Sequence, residues 1–281
     1  MRVRLKFLAI LPAALLVSVM LLHAEAADDL PFRYEHHLIW IKVNVAGHGE
    51  PLDFLFDTGA GTTVLNIDTA EKLGLKPGNT EVVRGVDSRS TAKWVNEFDA
   101  QVCGMPLERS LLAIDLSAAS RACKHKIDGL LGADFLKNRV VQIDYAAGKI
   151  RWLDHADVPA GATVTTPIKR RNDGLCVAVS IAGKSGQWLR LDTGCDDTIH
   201  WVAGRPERLS GLHLGAPEGA GRRVKTDVQF GGRFFGDVDI AVQEKAIFPD
   251  EDGLLGNGIL SKFTVTIDNV KHVLLLKQNT E

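Results

Sequence analysis

Several familiar signatures are missing from this sequence, and each absence narrows the field. No run of basic residues occurs and the formal net charge is −2, so neither nucleic acid nor an anionic membrane surface is expected as a partner. Beyond Leu22 no segment approaches about 18 uninterrupted apolar residues. No CxxC occurs, and Cys123-Lys124-His125 is only a weak pair of ligands, so the spacing does not suit a zinc site. There is no HExxH for a zinc peptidase and no GxSxG for a nucleophile elbow. Gly231-Gly232 has no Lys after it and reads as a hairpin turn instead of a phosphate cradle. No metal or cofactor is expected.

What is present begins with MRVRLKFLAILPAALLVSVMLLHAEAADD, in which basic residues precede an apolar run from Phe7 to Leu22 and then Ala24-Glu25-Ala26. That is the plan of a signal peptide spanning residues 1–26, cut after Ala26; an uncleaved anchor is the alternative. No Cys marks the cut, so no lipid anchor is expected. Nor is a propeptide of appreciable length, because the first strand starts soon after Ala26. The mature chain is expected in the periplasm or outside the cell, with no stable membrane contact. There the four cysteines, Cys103, Cys123, Cys176 and Cys195, can oxidise. Three pairings are possible; Cys103 with Cys123 and Cys176 with Cys195 keep each bridge within one half of the chain.

Internal repetition organises the rest. FLFDTGAGTTVL (54–65) returns as LRLDTGCDDTIH (189–200), and IDGLLG from Ile127 returns as EDGLLG from Glu251. The preceding strands, LIWIKVNVAG (38–47) and LCVAVSIAG (175–183), also match, as do DAQVCGMPLERSLLAI (99–114) and TDVQFGGRFFGDVDIAV (226–242). One tripeptide repeats easily by chance, but four elements in the same order do not. The local period is two, with Ile39, Ile41, Val43 and Val45 alternating with Trp40, Lys42 and Asn44, and turn signals recur about every eight to twelve residues. Antiparallel β-structure follows, in halves 27–158 and 159–281 joined through the turn-rich stretch 155–174. Short helices are expected at IDTAEKLGL, where Asp68 and Glu71 have capping-box spacing and Gly74 or Gly78 ends the helix, and at RPERLSGL from Arg205.

Asp57 and Asp192 each end an apolar strand at a Gly turn. A carboxylate there is either a plain turn residue or a group the protein uses, since desolvating it is costly. If a pseudo-twofold axis relates the halves, the two carboxyls meet and share one proton. One then serves as general base on water while the other, protonated, polarises a carbonyl. Thr58 and Thr193 can bond across the axis, and Gly59 and Gly194 allow close backbone approach.

With both DTG motifs followed by Leu130-Leu131-Gly132 and Leu254-Leu255-Gly256, the chain resembles the pepsin and retropepsin type of aspartic peptidase over nearly all its mature length. The resemblance implies an all-β fold, a bilobal pseudo-twofold pair of closed β-barrels with short helices. It also implies a water-using, cofactor-free endopeptidase acting on an extended peptide or protein substrate. A flap from VVRGVDSRSTAKWV (82–95) is implied, with Val86 or Asp87 at its tip and Trp94 packed beneath it or in the core. A monomer suffices for a complete site. The second motif departs from the family in Cys195, Asp196 and Asp197. The added acids would raise the pH optimum, select a basic substrate side chain, or simply face solvent. The alternative function on this scaffold is a silent peptide-binding protein.

Overall fold

The computed structural model describes residues 29–84, 89–154, 164–202 and 222–279. The N-terminal apolar run, the flap-tip residues Val86 and Asp87, and the helix expected from Arg205 lie outside the described residues.

In the first half the elements are β1 (Leu30–Pro31), β2 (Arg33–Glu35), β3 (Leu38–Val45), β4 (Leu52–Phe56), β5 (Val64–Asn66), α1 (Ile67–Lys72), β6 (Pro77–Arg84), β7 (Arg89–Val95), β8 (Ala100–Val102), β9 (Met105–Pro106), β10 (Leu111–Ile114), α2 (Ser117–Ala122), β11 (Gly129–Leu131), β12 (Val140–Asp144) and β13 (Lys149–Leu153). The second half contains β14 (Val164–Arg171), β15 (Gly174–Ile181), β16 (Lys184–Leu191), β17 (Ile199–Val202), β18 (Arg222–Phe230), β19 (Arg233–Gln243), β20 (Gly253–Leu255), α3 (Asn257–Leu260), β21 (Phe263–Asp268) and β22 (Val273–Gln278). The fold is all-β with short helices, consistent with a retropepsin-like domain.

Each Leu-Leu-Gly strand is inserted beside its DTG strand. β11 runs parallel to β4, pairing Leu131 with Phe56, and antiparallel to β5. β20 repeats this against β16 and β17, pairing Leu255 with Leu191. The second half then closes into a six-stranded barrel, β15–β16–β20–β17–β19–β18, sealed where Ser180 faces Gln229. Gly231 and Gly232 turn its β18–β19 hairpin at φ +59° and +71°, as the sequence suggested.

The first half differs from the closed barrel expected of it. Its sheet runs β6–β7–β10–β5–β11–β4–β3–β8–β9, and the single strand β19 of the other half is here divided into β9 and β10. Pro106 explains the break, since it has no N–H to continue a ladder. Two bonds carry the ladder partly across the gap, Leu107 N–H to the Ala100 carbonyl and Phe98 N–H to the Arg109 carbonyl.

The halves share a further sheet, β1–β13–β12–β21–β22–β14. Within it β12 meets β21 antiparallel, and Gln142 faces Thr266, its own counterpart at the repeat spacing, donating to it at 3.1 Å. The core is aliphatic and aromatic on both sides of the site, with Phe54, Phe56, Leu65, Leu191, Trp201 and Phe263 all buried.

Three sequence expectations change. Trp40 is buried, not on a solvent face, because Leu38, Leu55, Leu116 and Ile127 cover that side of β3. Helix α1 is capped by Asn66, whose side chain accepts from Asp68 N–H, in place of the Asp68–Glu71 box; Gly74 follows its end at φ +72°, whereas Gly78 lies in β6. Asn66 also donates from Nδ2 to the Ile127 carbonyl at 2.9 Å, so Asn66→Ala removes a cap and a buried bond together. Its expected cost is about 2 kcal/mol, readable by denaturant unfolding.

No disulfide joins the four cysteines. Cys176 stands opposite Arg190 in the β15–β16 ladder, while Cys195 lies beyond that strand and packs against Gly256. Cys103 sits in the β8–β9 turn at φ +45°, bonding the Asp29 carbonyl, and Cys123 ends α2 beside the Trp40 cluster. Neither expected bridge forms, because lying within one half does not make two cysteines cross-strand neighbours.

Candidate active site

The apolar runs FLF and LRL fix two strands, and the strand inserted beside each one holds the first residue after it. Asp57 N–H donates to the Leu131 carbonyl and Asp192 N–H to the Leu255 carbonyl, both at 3.0 Å. The two turns then interlock through their threonines. Thr58 N–H donates to Thr193 Oγ1 at 3.0 Å, and Thr193 N–H to Thr58 Oγ1 at 3.1 Å. Each hydroxyl donates onward into the opposite strand, Thr58 to the Leu191 carbonyl at 2.7 Å and Thr193 to the Phe56 carbonyl at 2.6 Å. Both threonines are 1 % exposed, so four satisfied bonds join the halves where water cannot compete.

The glycines complete the fit. A Cβ on Gly59 would stand 2.3 Å from Asp192 Cγ, and one on Gly194 would stand 2.5 Å from Asp57 Cγ. Each carboxyl therefore lies against the other half's glycine, and the two carboxyls are within hydrogen-bonding reach of each other. Asp57, Asp192, Thr58, Thr193, Gly59 and Gly194 are thus gathered at one place.

Electrostatics separates the two acids. Burial raises both above the ordinary carboxylate range. Asp192 is raised well above it, first by burial and then by the Asp57 charge. Asp57 is pulled back by two amides, Ala60 N–H at 3.0 Å and Gly59 N–H at 2.9 Å, both on Oδ1. Asp192 accepts one, from Gly194 N–H at 2.9 Å. Such a pair holds one proton and one charge.

Residues 41–135 match a family described as aspartyl protease. This segment is similar to a retropepsin-like aspartyl protease domain. The match takes in Asp57 and Leu130–Gly132, whereas Asp192 lies beyond it and is tied to the site by the contacts above. No curated protein matches the chain significantly.

Around the paired aspartates, the second half supplies supports that the sequence reading missed. Asn257, wholly buried, follows the second Leu-Leu-Gly and donates from Nδ2 to the Thr193 and His37 carbonyls, both at 2.7 Å, while Tyr145 OH donates to its Oδ1 at 2.8 Å. Arg190 and Glu251 form an ion pair with both side chains 1 % exposed. The signal was available: laid over the first half, Arg190 and Glu251 fall on Leu55 and Ile127, and a charged pair aligned with an apolar one marks a place where the halves differ.

Asp196 is exposed. Asp197 is not a free acid, because Arg223 binds it bidentately, Nη1 to Oδ2 at 2.6 Å and Nη2 to Oδ1 at 3.0 Å. Burial works to raise Asp197, but bonds from His200 and Arg223 outweigh it and hold the carboxyl well below its usual range. Its charge is met locally by Arg223 and so does not stand open to a basic substrate group.

The hairpin β6–β7 occupies the place read as the flap. On it Trp94 is partly exposed, donating from Nε1 to Glu81 Oε2 at 3.0 Å across the hairpin, so it is neither core nor packed beneath. His36 and His37 are exposed in the β2–β3 turn.

Proposed function

We propose that this protein is an exported aspartic endopeptidase that cleaves extended peptide or protein substrates with water activated by Asp57 and Asp192. One chain supplies both halves of the site, with 27–158 and 159–281 as its lobes. The observation that carries this reading is the reciprocal interlock of the two DTG turns, which presses each carboxyl against the opposite glycine. A binding module needs no such apposition of two desolvated acids, which is costly unless it is used.

In the mechanism, Asp57 as carboxylate takes a proton from water while the water oxygen attacks the scissile carbonyl carbon. Protonated Asp192 gives its proton to the carbonyl oxygen, and a tetrahedral diol forms. Collapse returns a proton from the diol to Asp192, and Asp57 passes the water's proton to the departing amine. Atoms and charge balance, and the dyad is restored. The stretch 82–95 would cover the substrate as a flap, with Val86 or Asp87, outside the described residues, as the expected tip. Export rests on the basic and apolar plan of residues 1–26.

The test is hydrolysis of a mixed peptide library by the mature chain from pH 3 to 8, with a statine-type inhibitor and with Asp57→Asn. Cleavage that the inhibitor stops and that falls about 10⁴-fold in the variant supports the reading. Peptides retained but never cleaved by the wild type would point to a binding module instead.

A further inference from the structure

Arg190 lies on β16, two residues before Asp192, and is 1 % exposed. All three of its nitrogens are engaged. Nε donates to Glu251 Oε2 at 2.8 Å and Nη2 to Glu251 Oε1; Nη1 donates to the Gly59 carbonyl at 2.8 Å, and Nη2 also to the Asn172 carbonyl at 3.2 Å. The guanidinium rests on the Phe248 ring, Cζ 3.6 Å from the centroid. Gly174 makes the room, since a Cβ there would stand 2.4 Å from Cζ.

Stability alone does not account for so enclosed an ion pair. Desolvating two charges cancels most of their attraction, and an apolar pair of similar volume commonly serves as well. The first half has that apolar pair, for Leu55 and Ile127 occupy the matching positions and pack in one cluster.

What distinguishes Arg190 is the group that Nη1 touches. The Gly59 carbonyl and the Ala60 N–H are two ends of one peptide unit, and that N–H donates to Asp57 Oδ1. A cation on the oxygen polarises the unit and strengthens the N–H as a donor. Asp192 has no such relay among the described residues, because Leu55 stands where its cation would be. We propose that the Arg190–Glu251 pair is a positioning element of the dyad, fixing Asp57 as the carboxylate and leaving the shared proton on Asp192 through the Gly59–Ala60 peptide.

Burial raises both acids and the Arg190 charge lowers both, whereas the Ala60 amide at the end of the relay draws down Asp57 alone. Of the other groups facing the pair, Cys176 stands across the β15–β16 ladder with its thiol pushed up to about 12, chiefly by burial, and stays neutral. Cys195 beside Asp192 is also held protonated by burial. Arg171 on β14 and Asp250 and Asp252 line the outer side of Glu251, around a pocket of about 530 Å³, with one positive and two negative charges.

The proton assignment stands on geometry, whereas its consequence for rate rests on the peptidase reading. The experiment therefore has two readouts. Carboxyl-¹³C aspartate NMR of the wild type, with signals assigned by Asp57→Asn and Asp192→Asn, is compared with Arg190→Leu/Glu251→Ile, which installs the first half's apolar pair. In the wild type the Asp57 signal titrates at lower pH than that of Asp192. In the double variant the two converge, and kcat falls about ten-fold with KM within two-fold while the acid limb of the rate profile moves to higher pH. Arg190→Lys keeps a charge but cannot reach Glu251 and Gly59 together, so it narrows the separation in part. A wild-type separation in either folded variant overturns the proposal. If the wild type cleaves nothing while the signals still converge, the peptidase reading fails and the assignment of the proton stands.

Discussion

Asp192→Asn is expected to end hydrolysis and, at neutral pH, to raise the melting temperature. The loss follows from chemistry, since an amide cannot hand a proton to the scissile carbonyl oxygen and take it back; about 10⁴-fold is the scale for a lost acid–base group. The gain follows from linkage. Burial and the Asp57 charge hold Asp192 well above the ordinary carboxylate range in the folded state. A raised group contributes stability that is fully present below its unfolded value and is lost as pH rises through the folded one. The wild type therefore loses stability on going from about pH 4 to pH 7, and the amide does not. It keeps the local bonds, because its oxygen can accept from Gly194 N–H as the acid does and its NH₂ can donate to Asp57 as the protonated acid would. A gain of about 1 kcal/mol, or about 2–4 °C, is expected at pH 7, shrinking towards pH 4. Thermal scans at the two pH values check it. A variant melting below the wild type at pH 7 would mean that the Asp192 charge is welcome where it sits, contrary to the burial argument.

The parts of the site that were legible in the sequence are those that repeat. DTG and Leu-Leu-Gly are short, occur twice in order, and impose backbone requirements that glycine and threonine meet almost alone, so Asp57, Asp192 and their neighbours could be named directly. What was hidden depends on contacts between distant segments. Arg190 reads as an ordinary exposed position in an alternating strand until Glu251, 61 residues later, and Gly59 in the other half close around it. Asp197 reads as a spare acid until Arg223, from another strand, neutralises it. The cysteine pairing failed for a related reason, because separation along the chain says little about the ladder register that put Cys176 opposite Arg190. Two local signals were passed over: Asn66, which caps α1 from the position just before it, and Pro106, which divides a strand of the first half that is continuous in the second.

Gly59→Ala is expected to cost at least about 100-fold in kcat, and the reason is purely steric. Neither Gly59 nor Gly61 has a left-handed φ, so an alanine backbone is unstrained at both and only the added methyl matters. At Gly59 that methyl would lie 2.3 Å from Asp192 Cγ and 2.4 and 2.6 Å from its two oxygens, so the whole carboxyl must retreat by about 1 Å or more to reach ordinary contact. The turn that carries Gly59 cannot yield in its place, because Thr58 is bonded both to Thr193 and to the Leu191 carbonyl, and Arg190 holds the Gly59 carbonyl. A displacement of about 1 Å between reacting groups commonly costs on the order of 100-fold. Gly61→Ala is the control, since its methyl meets Asp173 alone, Cβ at 3.3 Å and the carbonyl oxygen at an ordinary 4.0 Å, and a shift of a few tenths of an ångström relieves it. Rates within about three-fold of wild type are expected there. If Gly59→Ala retained activity within ten-fold, the Asp192 carboxyl would be free to move without consequence, and a dyad held in fixed apposition could not be the source of catalysis.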